Sequence, residues 1–506
     1  MKLLFERFLE VSKKYPDKMA IWCDDETKTY SELLDLVCRY ANYLTRKGVK
    51  KGDVIGIPMT NSIESVALMF ASASIGVGLA PINPTLPPDA IETAFSAGDV
   101  KHIIARKAFY KNVRKEYLDH IGGCKLCLDS VIEGVDSFDE VLNSSNGIPN
   151  YNVVHGDEPY ILTMTSGSTG TPKPIVLTQN NKIVRADIHI DLYKITSDDK
   201  VLAATPLYHS LAERLVIMPL ILGATSVLLP RYTALMWLNC IKNQAVTFSI
   251  AVSAQLAQVS QLLSSPFVPE ISSLRCIVSS SALLEPHVRN ELIAKLQCDF
   301  HEMYGTSECS TVTDINFKET ENKIKSVGRP LPGVKIRIID EQGDKLKSGK
   351  IGEIVVDTPL QCQGYYRLPI ITEESFTDGY FHTGDLGWLD EDGYLYFAGR
   401  KKEIIITGGV NVYPKDIEET VCKLEGVKEC AAFAYADERL GEVVAIAVVP
   451  LENGNITRKR IQLYCARNLA DFQQPYKIFI IDELPRNTMG KVTKMKLPEV
   501  VAGMEG

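Results

Sequence analysis

The segment Thr163–Lys173 reads TMTSGSTGTPK and directly follows the apolar run YIL. A strand that runs into a loop of glycines, serines and threonines points backbone N–H groups and hydroxyls into one concavity, which suits phosphate oxygens. Lys173 would add a cation for the charge on the terminal phosphates. Such clusters are also typical of ordinary solvent-exposed loops. Other parts of the chain must therefore distinguish a phosphate-binding loop from a surface loop.

The composition of the chain limits its class before any motif is used. With 506 residues two or more domains are expected, and the net charge of −8 argues against non-specific nucleic-acid binding. The N-terminus, MKLLFERFLEVSKK, has charges within its apolar part and predicts an amphipathic helix rather than a signal peptide. The longest apolar run, Val66–Ile82, is too short for a membrane span. We expect a cytoplasmic protein with no membrane span and no nucleic-acid partner.

Twelve cysteines are scattered along the chain. The one close pair, Cys124 and Cys127 in CKLC, matches half of a zinc or redox motif, but no second pair or Cys/His cluster supplies the missing ligands. Both thiols are therefore predicted to be packing residues.

The pattern of apolar residues predicts an α/β fold with three regions. Up to residue 330, short β-rich runs alternate with segments of helical length, which is typical of layered α/β subdomains with mostly parallel strands. Residues 333–400 combine strands with tight-turn sequences and predict an antiparallel β section. After Arg400, strands and a helix that begins at Pro414 predict a small α+β domain. We place a large N-terminal domain at 1–399 and a small C-terminal domain at 400–506.

Seven motifs connect the chain to a known family. The loop lacks the G-x-x-x-x-G-K-[ST] spacing of kinases and GTPases. TSGSTGTPK instead resembles the phosphate-binding loop of the acyl-adenylate-forming, or AMP-binding, superfamily, which includes acyl-CoA synthetases, adenylation domains of non-ribosomal peptide synthetases, and luciferases. Six further segments resemble that family's motifs, in the family's order: PLYH at 206–209, YGTSE at 304–308, SVGRPLPG at 326–333, HTGDLG at 382–387, GRKKEIIITGGVNVYP at 399–414 and PRNTMGK at 485–491. The resemblance is closest in kind to acyl-CoA ligases.

The resemblance implies a site that activates a carboxylic acid with ATP and Mg²⁺. Attack on the α-phosphorus builds charge on phosphate oxygens and on departing pyrophosphate, so donors, cations and a metal ion are needed in advance. Glu308 falls on the family's Mg²⁺ ligand and Tyr304 on the aromatic residue that stacks on adenine. Asp385 and Arg400 match the family's ribose contacts. The whole set implied for binding nucleotide and thiol is Thr165, Ser166, Gly167, Ser168, Thr169, Gly170, Lys173, Ser281, Ala282, Glu302, Met303, Tyr304, Gly305, Thr306, Ser307, Asp385, Arg400, Lys402, Gly408 and Gly409.

Lys491 is the strongest candidate for a catalytic residue. In the family, the lysine of the last motif bridges the attacking carboxylate and the α-phosphate, and removing such a contact typically costs a factor on the order of 10²–10³ in rate. A thiol must then enter where Lys491 stood, so the resemblance implies that the small domain turns about a hinge near Lys402. Gly408 and Gly409 would then line the channel for a pantetheine arm, because glycine permits a close approach of the backbone.

His209 completes the candidate catalytic set with Lys491 and Glu308. Amino-acid-activating relatives carry an acidic residue at the position of His209, where it pairs with the substrate ammonium, and a buried ammonium without such a partner is costly. The substrate is therefore predicted to be a fatty, aryl or other non-amino carboxylic acid. Arg214 could meet the second carboxylate of a diacid, or it could be a surface or structural arginine.

The acceptor thiol stays open between coenzyme A and the phosphopantetheine of a carrier protein. With coenzyme A the protein is an ATP-dependent acid–CoA ligase that releases AMP and pyrophosphate, whereas the alternative needs a carrier protein in trans. Homodimers are common among relatives, but the sequence leaves the oligomeric state open between a monomer and a homodimer. Pro174, Ser280 and Ser281 stand where the family commonly has glycine, and Gln179 replaces a frequent histidine. The two serines are expected to narrow or polarise the pocket beside the adenine.

Overall fold

The computed structural model describes residues 1–165, 172–263, 269, 271–318, 320–407, 410–437, 441–451, 454–487 and 491–504. Its strands are β1 (Met19–Cys23), β2 (Glu26–Thr29), β3 (Val54–Pro58), β4 (Gly78–Ile82), β5 (His102–Ala105), β6 (Lys125–Cys127), β7 (Asp136–Ser137), β8 (Pro159–Thr165), β9 (Lys173–Thr178), β10 (Lys200–Ala203), β11 (Thr225–Leu228), β12 (Phe248–Val252), β13 (Cys276–Ser280), β14 (Asp299–Thr306), β15 (Ser310–Asn316), β16 (Arg329–Pro330), β17 (Lys335–Ile339), β18 (Gly352–Asp357), β19 (Phe376–Thr377), β20 (Tyr380–Leu389), β21 (Leu395–Arg400), β22 (Ile405–Thr407), β23 (Val410–Val412), β24 (Val427–Asp437), β25 (Gly441–Pro450) and β26 (Lys477–Ile480). Its helices are α1 (Leu4–Lys14), α2 (Tyr30–Arg46), α3 (Ile63–Ile75), α4 (Pro88–Ala97), α5 (Lys107–Asn112), α6 (Lys115–His120), α7 (Phe138–Leu142), α8 (Gln179–Leu192), α9 (Ser210–Leu222), α10 (Ala234–Gln244), α11 (Ser253–Leu263), α12 (Pro286–Leu296), α13 (Pro369–Glu374), α14 (Pro414–Val421), α15 (Arg458–Asn468) and α16 (Leu497–Val500).

The chain divides into two compact units. The first consists of Met1–Val312, Asn316–Glu319 and Thr358–Thr377, and the second of Thr313–Ile315, Thr320–Asp357 and Asp378–Gly506. The predicted domain boundary between residues 399 and 400 falls within the second unit and stays a prediction.

The first unit contains two layers of mostly parallel strands. One sheet has the order β7-β6-β5-β3-β4-β8-β9 and is parallel except for the β8–β9 pair. The other contains the run β14-β13-β12-β10-β11-β1-β2, which is parallel from β14 to β1. Parallel neighbours need crossover connections, which accounts for the alternation of strands and helices in the sequence. The predicted α/β class is confirmed.

The N-terminal helices form where the sequence predicts them. Helix α1 is amphipathic and buries Leu4, Phe5 and Phe8. Helix α2 opens with a capping box, in which Thr29 Oγ1 accepts from the backbone N–H of Glu32 at 3.2 Å and Glu32 Oε2 accepts from that of Thr29 at 2.8 Å. Each bond satisfies one of the N–H groups that a helix start leaves without an intrahelical partner.

The long apolar run of the sequence becomes a buried helix, α3, and a buried strand, β4. Gly76 ends α3 in the left-handed region with a φ of 68° and turns the chain towards the sheet. The hydroxyls of Ser72 and Ser74 donate to backbone carbonyls inside the helix, so their burial leaves no donor unsatisfied. In the part of the chain that the structure describes, no helix combines the length and apolarity needed to cross a membrane.

The second unit is built mainly from antiparallel strands. Strands β17, β18, β20 and β21 pair in that order, each antiparallel to the next. A second sheet has the order β23-β22-β25-β24, with β26 parallel to β25. Ile417 and Val421 of α14 and Ile461 of α15 pack against apolar residues of this sheet. The predicted antiparallel section and the α+β region are both present, and α14 begins at Pro414 as predicted.

Cys124 and Cys127 are buried at β6. Tyr43 Oη lies 3.2 Å from Cys124 Sγ, and Cys127 Sγ lies 3.5 Å from a carboxylate oxygen of Asp129. Burial raises the pKa of both thiols, which keeps them protonated at neutral pH. These surroundings fit the predicted packing role.

Candidate active site

The β8–β9 hairpin holds the two ends of the predicted phosphate-binding loop. Thr165, the last residue of β8, is the Cα partner of Lys173, the first residue of β9. Ser166, Gly167, Ser168, Thr169 and Gly170, which the sequence also assigns to phosphate, lie outside the described residues. Antiparallel pairing thus fixes the spacing of the flanking residues, and β9 leads directly into α8.

Glu308, the predicted metal ligand, lies in the turn that follows β14. Its side chain is half-buried, and Oε1 accepts a hydrogen bond from Tyr365 Oη at 3.0 Å. Within the described ranges, Oε2 has no hydrogen-bond or ion-pair partner. A cation can therefore bind Oε2 without displacing any group of the described residues.

The motif YGTSE needs its glycine for space. A Cβ at Gly305 would lie 1.8 Å from the carbonyl oxygen of Ser310, so no other residue fits without moving the backbone. Thr306 Oγ1 accepts from the N–H of Cys309 at 3.1 Å and tightens the turn that carries Ser307 and Glu308. Tyr304 and Thr306 are half-buried at the end of β14.

A buried arginine that the sequence motifs missed holds this turn. Arg185 of α8 is 2% exposed. Its Nη2 donates to the carbonyl oxygens of Ser307 at 3.3 Å and Glu308 at 2.8 Å, and its Nε donates to that of Leu360 at 2.8 Å. Burial lowers the pKa of Arg185 from its ordinary value. The sequence gives one indication of this role: the arginine lies inside a helix and has no acidic residue one turn away.

His209 lies directly before α9, in the PLYH motif. Its Nε2 is buried and has no hydrogen-bond partner among the residues that the structure describes. Burial lowers the pKa of His209 to about 4, so the ring is neutral at pH 7. The Tyr208 ring lies 4.5 Å away between centroids. A neutral imidazole with an unpaired buried nitrogen is suited to a hydrogen bond with a substrate.

Asn61 anchors the chain that leads into the PLYH motif. Its Oδ1 accepts from the N–H of Leu207 at 2.8 Å. Its Nδ2 donates to the carbonyl oxygens of Thr205 at 3.1 Å and Leu229 at 3.0 Å. Sequence reasoning missed Asn61, because the residues that it joins are more than a hundred positions away.

Arg214 is a structural residue. It is 7% exposed, and Nη1 lies 2.9 Å from His189 Nε2 and donates to Thr311 Oγ1 at 3.2 Å. Its Nη2 donates to Ser310 Oγ at 2.8 Å. The neighbouring Glu213 is fully buried and forms an ion pair with Lys182. Of the two alternatives for Arg214, these contacts favour a structural arginine over a carboxylate receptor.

The residues assigned to the adenine side of the pocket lie at the ends of β13 and β14. Ser281 has a φ of 76°, in the left-handed region where glycine is favoured, which gives a physical reason for the glycine that relatives commonly have there. Ser253 Oγ donates to the carbonyl oxygen of Ala282. Glu302 and Met303 are buried, and Met303 Sδ accepts from Thr311 Oγ1 at 3.1 Å.

In the second unit, Asp385 and Arg400 are Cα partners on β20 and β21. Asp385 is 2% exposed, and its Oδ1 lies 3.2 Å from Arg400 Nε. Thr383 Oγ1 accepts from the backbone N–H of Asp385 at 3.0 Å. Lys402 lies in the exposed single-turn helix that follows β21. Gly408 and Gly409 lie outside the described residues.

Lys491 shares an electrostatic environment with the predicted ribose contacts. Burial, followed by the charge of Arg400, lowers the pKa of Lys491, while Glu403 and Asp385 act in the opposite direction. The N–H of Lys491 donates to Asn487 Oδ1 at 3.0 Å, and its carbonyl accepts from the N–H of Asn487 at 2.9 Å. The fold of the second unit thus gathers residues from three separate motifs.

The chain matches the model of the AMP-binding enzyme over residues 8–366, and that of the AMP-binding enzyme C-terminal domain over residues 416–491. The chain belongs to the AMP-binding enzyme family. An indoleacetate–CoA ligase from Aromatoleum aromaticum is 30% identical over 493 residues, with 96% of each chain covered. An oxalate–CoA ligase from Arabidopsis thaliana is 30% identical over 497 residues, again with 96% of each chain covered.

Two solved structures of family members extend the likeness to three dimensions. ATP-bound MatB from Rhodopseudomonas palustris has a TM-score of 0.89 and 27% identity, with 99% of each chain covered. MenE from Bacillus subtilis, in complex with ATP and magnesium ion, has a TM-score of 0.84 and 27% identity, with 97% of this chain and 98% of MenE covered. The predicted family, the fold and the class of enzyme, an AMP-forming acid–thiol ligase, are confirmed. The roles of the individual site residues stay predictions.

Proposed function

We propose that this AMP-binding enzyme is an acid–CoA ligase that converts a non-amino carboxylic acid, ATP and coenzyme A into acyl-CoA, AMP and pyrophosphate. The observation that carries the proposal is the match to two relatives that are named CoA ligases, each aligned over 96% of this chain and 96% of its own length. The acids in their names differ widely, from oxalate to long-chain fatty acids, so the identity of the acid is left to experiment.

The donor set around Glu308 fits Mg²⁺. Magnesium usually binds proteins through one or two carboxylates and completes its shell with water and substrate phosphates. Glu308 offers one carboxylate oxygen that has no partner among the described residues, in the unit that also contains Lys173. When bound, the ion would neutralise charge on the phosphates during adenylation.

Three further side chains have separate roles in the proposed reaction. Lys491 stabilises the negative charge that grows between the acid carboxylate and the α-phosphate. Asp385 accepts hydrogen bonds from the ribose. Its carboxylate is paired with Arg400 and its backbone N–H is held by Thr383, which orients the side chain for this role. His209, neutral at pH 7, donates or accepts one hydrogen bond at the acid without adding charge.

The charges of α9 support a substrate without an ammonium group. Glu213 is the one acidic residue in the sequence of α9, and it is paired with Lys182. An amino-acid substrate would therefore gain no carboxylate from this helix for its ammonium. We keep the predicted substrate class, fatty, aryl or other non-amino acids.

Pyrophosphate exchange into ATP, measured with a panel of carboxylic acids, tests the first half-reaction. One or more non-amino acids should support exchange, and Lys491→Ala should lower its rate by a factor on the order of 10²–10³. Lys496→Ala, which removes an exposed lysine five residues later, is the matched control and should keep the wild-type rate. No exchange with any acid, or an active Lys491→Ala variant, would contradict the proposal.

A second assay identifies the acceptor. The enzyme is supplied with its acid and ATP, and either coenzyme A or a holo-carrier protein is added. Thiol-ester formation with coenzyme A is expected, whereas transfer only to the carrier protein would favour the alternative function. We also expect a cytoplasmic location, and size-exclusion chromatography with light scattering would determine whether the protein is a monomer or a homodimer.

A further inference from the structure

A tyrosine outside the seven motifs contacts the predicted metal ligand. Tyr365 Oη donates to Oε1 of Glu308 at 3.0 Å, although the two residues are 57 positions apart. The Tyr365 hydroxyl is the donor in this bond, because an ionised carboxylate only accepts hydrogen bonds. In the described part of the chain, this is the only polar contact of the Glu308 carboxylate. The hydroxyl therefore decides which carboxylate oxygen is engaged and which is left for a ligand.

The position of Tyr365 is fixed by β9, the strand that begins at Lys173. Ile175 and Tyr365 form an antiparallel bridge. The N–H of Val176 donates to the carbonyl of Gly364 at 2.9 Å, and the N–H of Tyr366 donates to that of Pro174 at 2.8 Å. The tyrosine thus connects the strand that leaves the phosphate-binding loop with the metal ligand.

The backbone of Glu308 is held from two other directions. Its carbonyl accepts from Arg185 Nη2 at 2.8 Å and from the N–H of Cys362 at 2.7 Å. Arg185 also binds the carbonyl of Leu360, at the start of the same segment that carries Tyr365. With the backbone fixed, the remaining freedom of Glu308 is rotation of its side chain, which the Tyr365 hydroxyl restrains.

We propose that Tyr365 is a positioning residue for the metal ion: by holding Oε1 of Glu308, it directs Oε2 towards a divalent cation bound to ATP. The inference rests on the proposed function, which assigns Mg²⁺ to Glu308. Mg²⁺ demands a nearly ideal octahedral shell, so the orientation of each protein ligand matters. Partners that orient metal ligands typically change metal affinity by about 10–100-fold when they are removed.

The test compares Tyr365→Phe with Tyr366→Phe in the full-length protein. Both changes remove one hydroxyl from a half-buried ring, but the Tyr366 hydroxyl has no hydrogen bond to any residue that the structure describes. Binding of Mn²⁺–ATP without acid is followed by electron paramagnetic resonance, and binding of ATP in EDTA is measured by calorimetry. Tyr365→Phe should weaken Mn²⁺–ATP binding about 10-fold and leave metal-free ATP binding unchanged. Tyr366→Phe should match the wild type in both measurements.

The outcomes separate the inference from the function on which it rests. Equal Mn²⁺–ATP affinity for Tyr365→Phe and wild type would overturn the positioning role. So would an equal loss with and without metal, because that result indicates general damage to the nucleotide site. Failure of the wild type itself to bind Mn²⁺–ATP would instead reject the proposed function. In pyrophosphate exchange, Tyr365→Phe should raise the Mg²⁺ concentration for half-maximal rate and leave KM for the acid unchanged.

Discussion

Replacing Glu213 should destabilise the protein far more than replacing its partner Lys182. Glu213 is fully buried, Lys182 is 3% exposed, and Arg185 and Arg214 act on the same charges. The cluster thus contains three cations and one anion. Glu213→Gln leaves three buried cations without the acidic residue that acts on all three, whereas Lys182→Met leaves Glu213 with two arginines nearby. The difference in destabilisation between the two variants follows from this count of charges.

Two separate arguments set the magnitude for Glu213→Gln. Breaking a buried ion pair from one side typically costs about 3–5 kcal/mol. Lys182 can limit the cost by losing its proton, and deprotonating a lysine of ordinary pKa at pH 7 costs about 4.6 kcal/mol. Lys182→Met removes a hydrogen bond and should cost about 1–3 kcal/mol. The double variant should be more stable than Glu213→Gln alone, because one of the three cations has gone.

Thermal unfolding followed by circular dichroism measures these effects. Glu213→Gln should lower Tm by about 4–7 °C, and Lys182→Met by less. Lys335→Met, which breaks an ion pair with Asp357 on the exposed surface, is the control and should shift Tm by less than about 1.5 °C. Equal losses for the two buried variants, or a double variant less stable than Glu213→Gln, would refute the charge count.

The pH dependence provides an independent check of the same reasoning. Burial lowers the pKa of Lys182 to about 8, while the unfolded chain keeps the ordinary value of 10.5. Between these values the unfolded state binds more protons, so the contribution of Lys182 to stability increases as the pH rises. Without Glu213, Lys182 lacks the nearby negative charge that favours its protonated form, so its pKa in the folded state falls further. The pH range in which the unfolded state binds more protons then extends to lower pH. The deficit of Glu213→Gln should therefore shrink between pH 7 and pH 9.

Three further predictions concern the site. His209→Gln should make stability depend less on pH below 6.5. Burial lowers the pKa of His209 to about 4, so the wild type loses up to about 3 kcal/mol of stability as the pH falls from 6.5 to 4. Thermal melts of both proteins at a series of pH values measure this difference. Ser281→Gly should raise Tm or leave it unchanged, because glycine relieves about 1 kcal/mol of left-handed strain; a clear fall in Tm would contradict this. Asn61→Ala should cost about 2–3 kcal/mol in thermal melts and raise KM for the acid, because it removes the bond to Leu207 before the PLYH motif.

Local patterns in the sequence predicted the fold class and most of the candidate site. The capping box of Thr29 and Glu32 needs residues only three apart, and Gly305 sits inside a continuous motif. Features of this kind depend on neighbours along the chain, which a single sequence displays. Ser281 is an intermediate case: the sequence shows the departure from glycine, but the left-handed φ of this residue appears only in the structure.

The residues that hold the site residues in place were not predictable from the sequence, because only the topology of the fold brings them together. Arg185 and Glu308 are 123 positions apart, and no local pattern relates α8 to the turn after β14. Tyr365 reaches Glu308 only because the segment that contains it pairs with β9. Lys182 looks like an ordinary surface lysine on a helix until α8 packs against α9. Motifs predicted which residues would meet the ligands, whereas the residues that hold those side chains in place became visible only in the fold.

The unequal charges around Glu213 also bear on ligand binding. The protein carries a net charge of −8, yet its proposed ligands, ATP and a carboxylate, are anions. Lys182, Arg185 and Arg214 place three buried cations around Glu213 in the unit that contains Lys173 and Glu308. Buried charges are screened by salt much less than surface charges. An internal cationic cluster can therefore offset the acidic surface for an incoming anion, which gives a reason to keep buried charges that are costly for the fold.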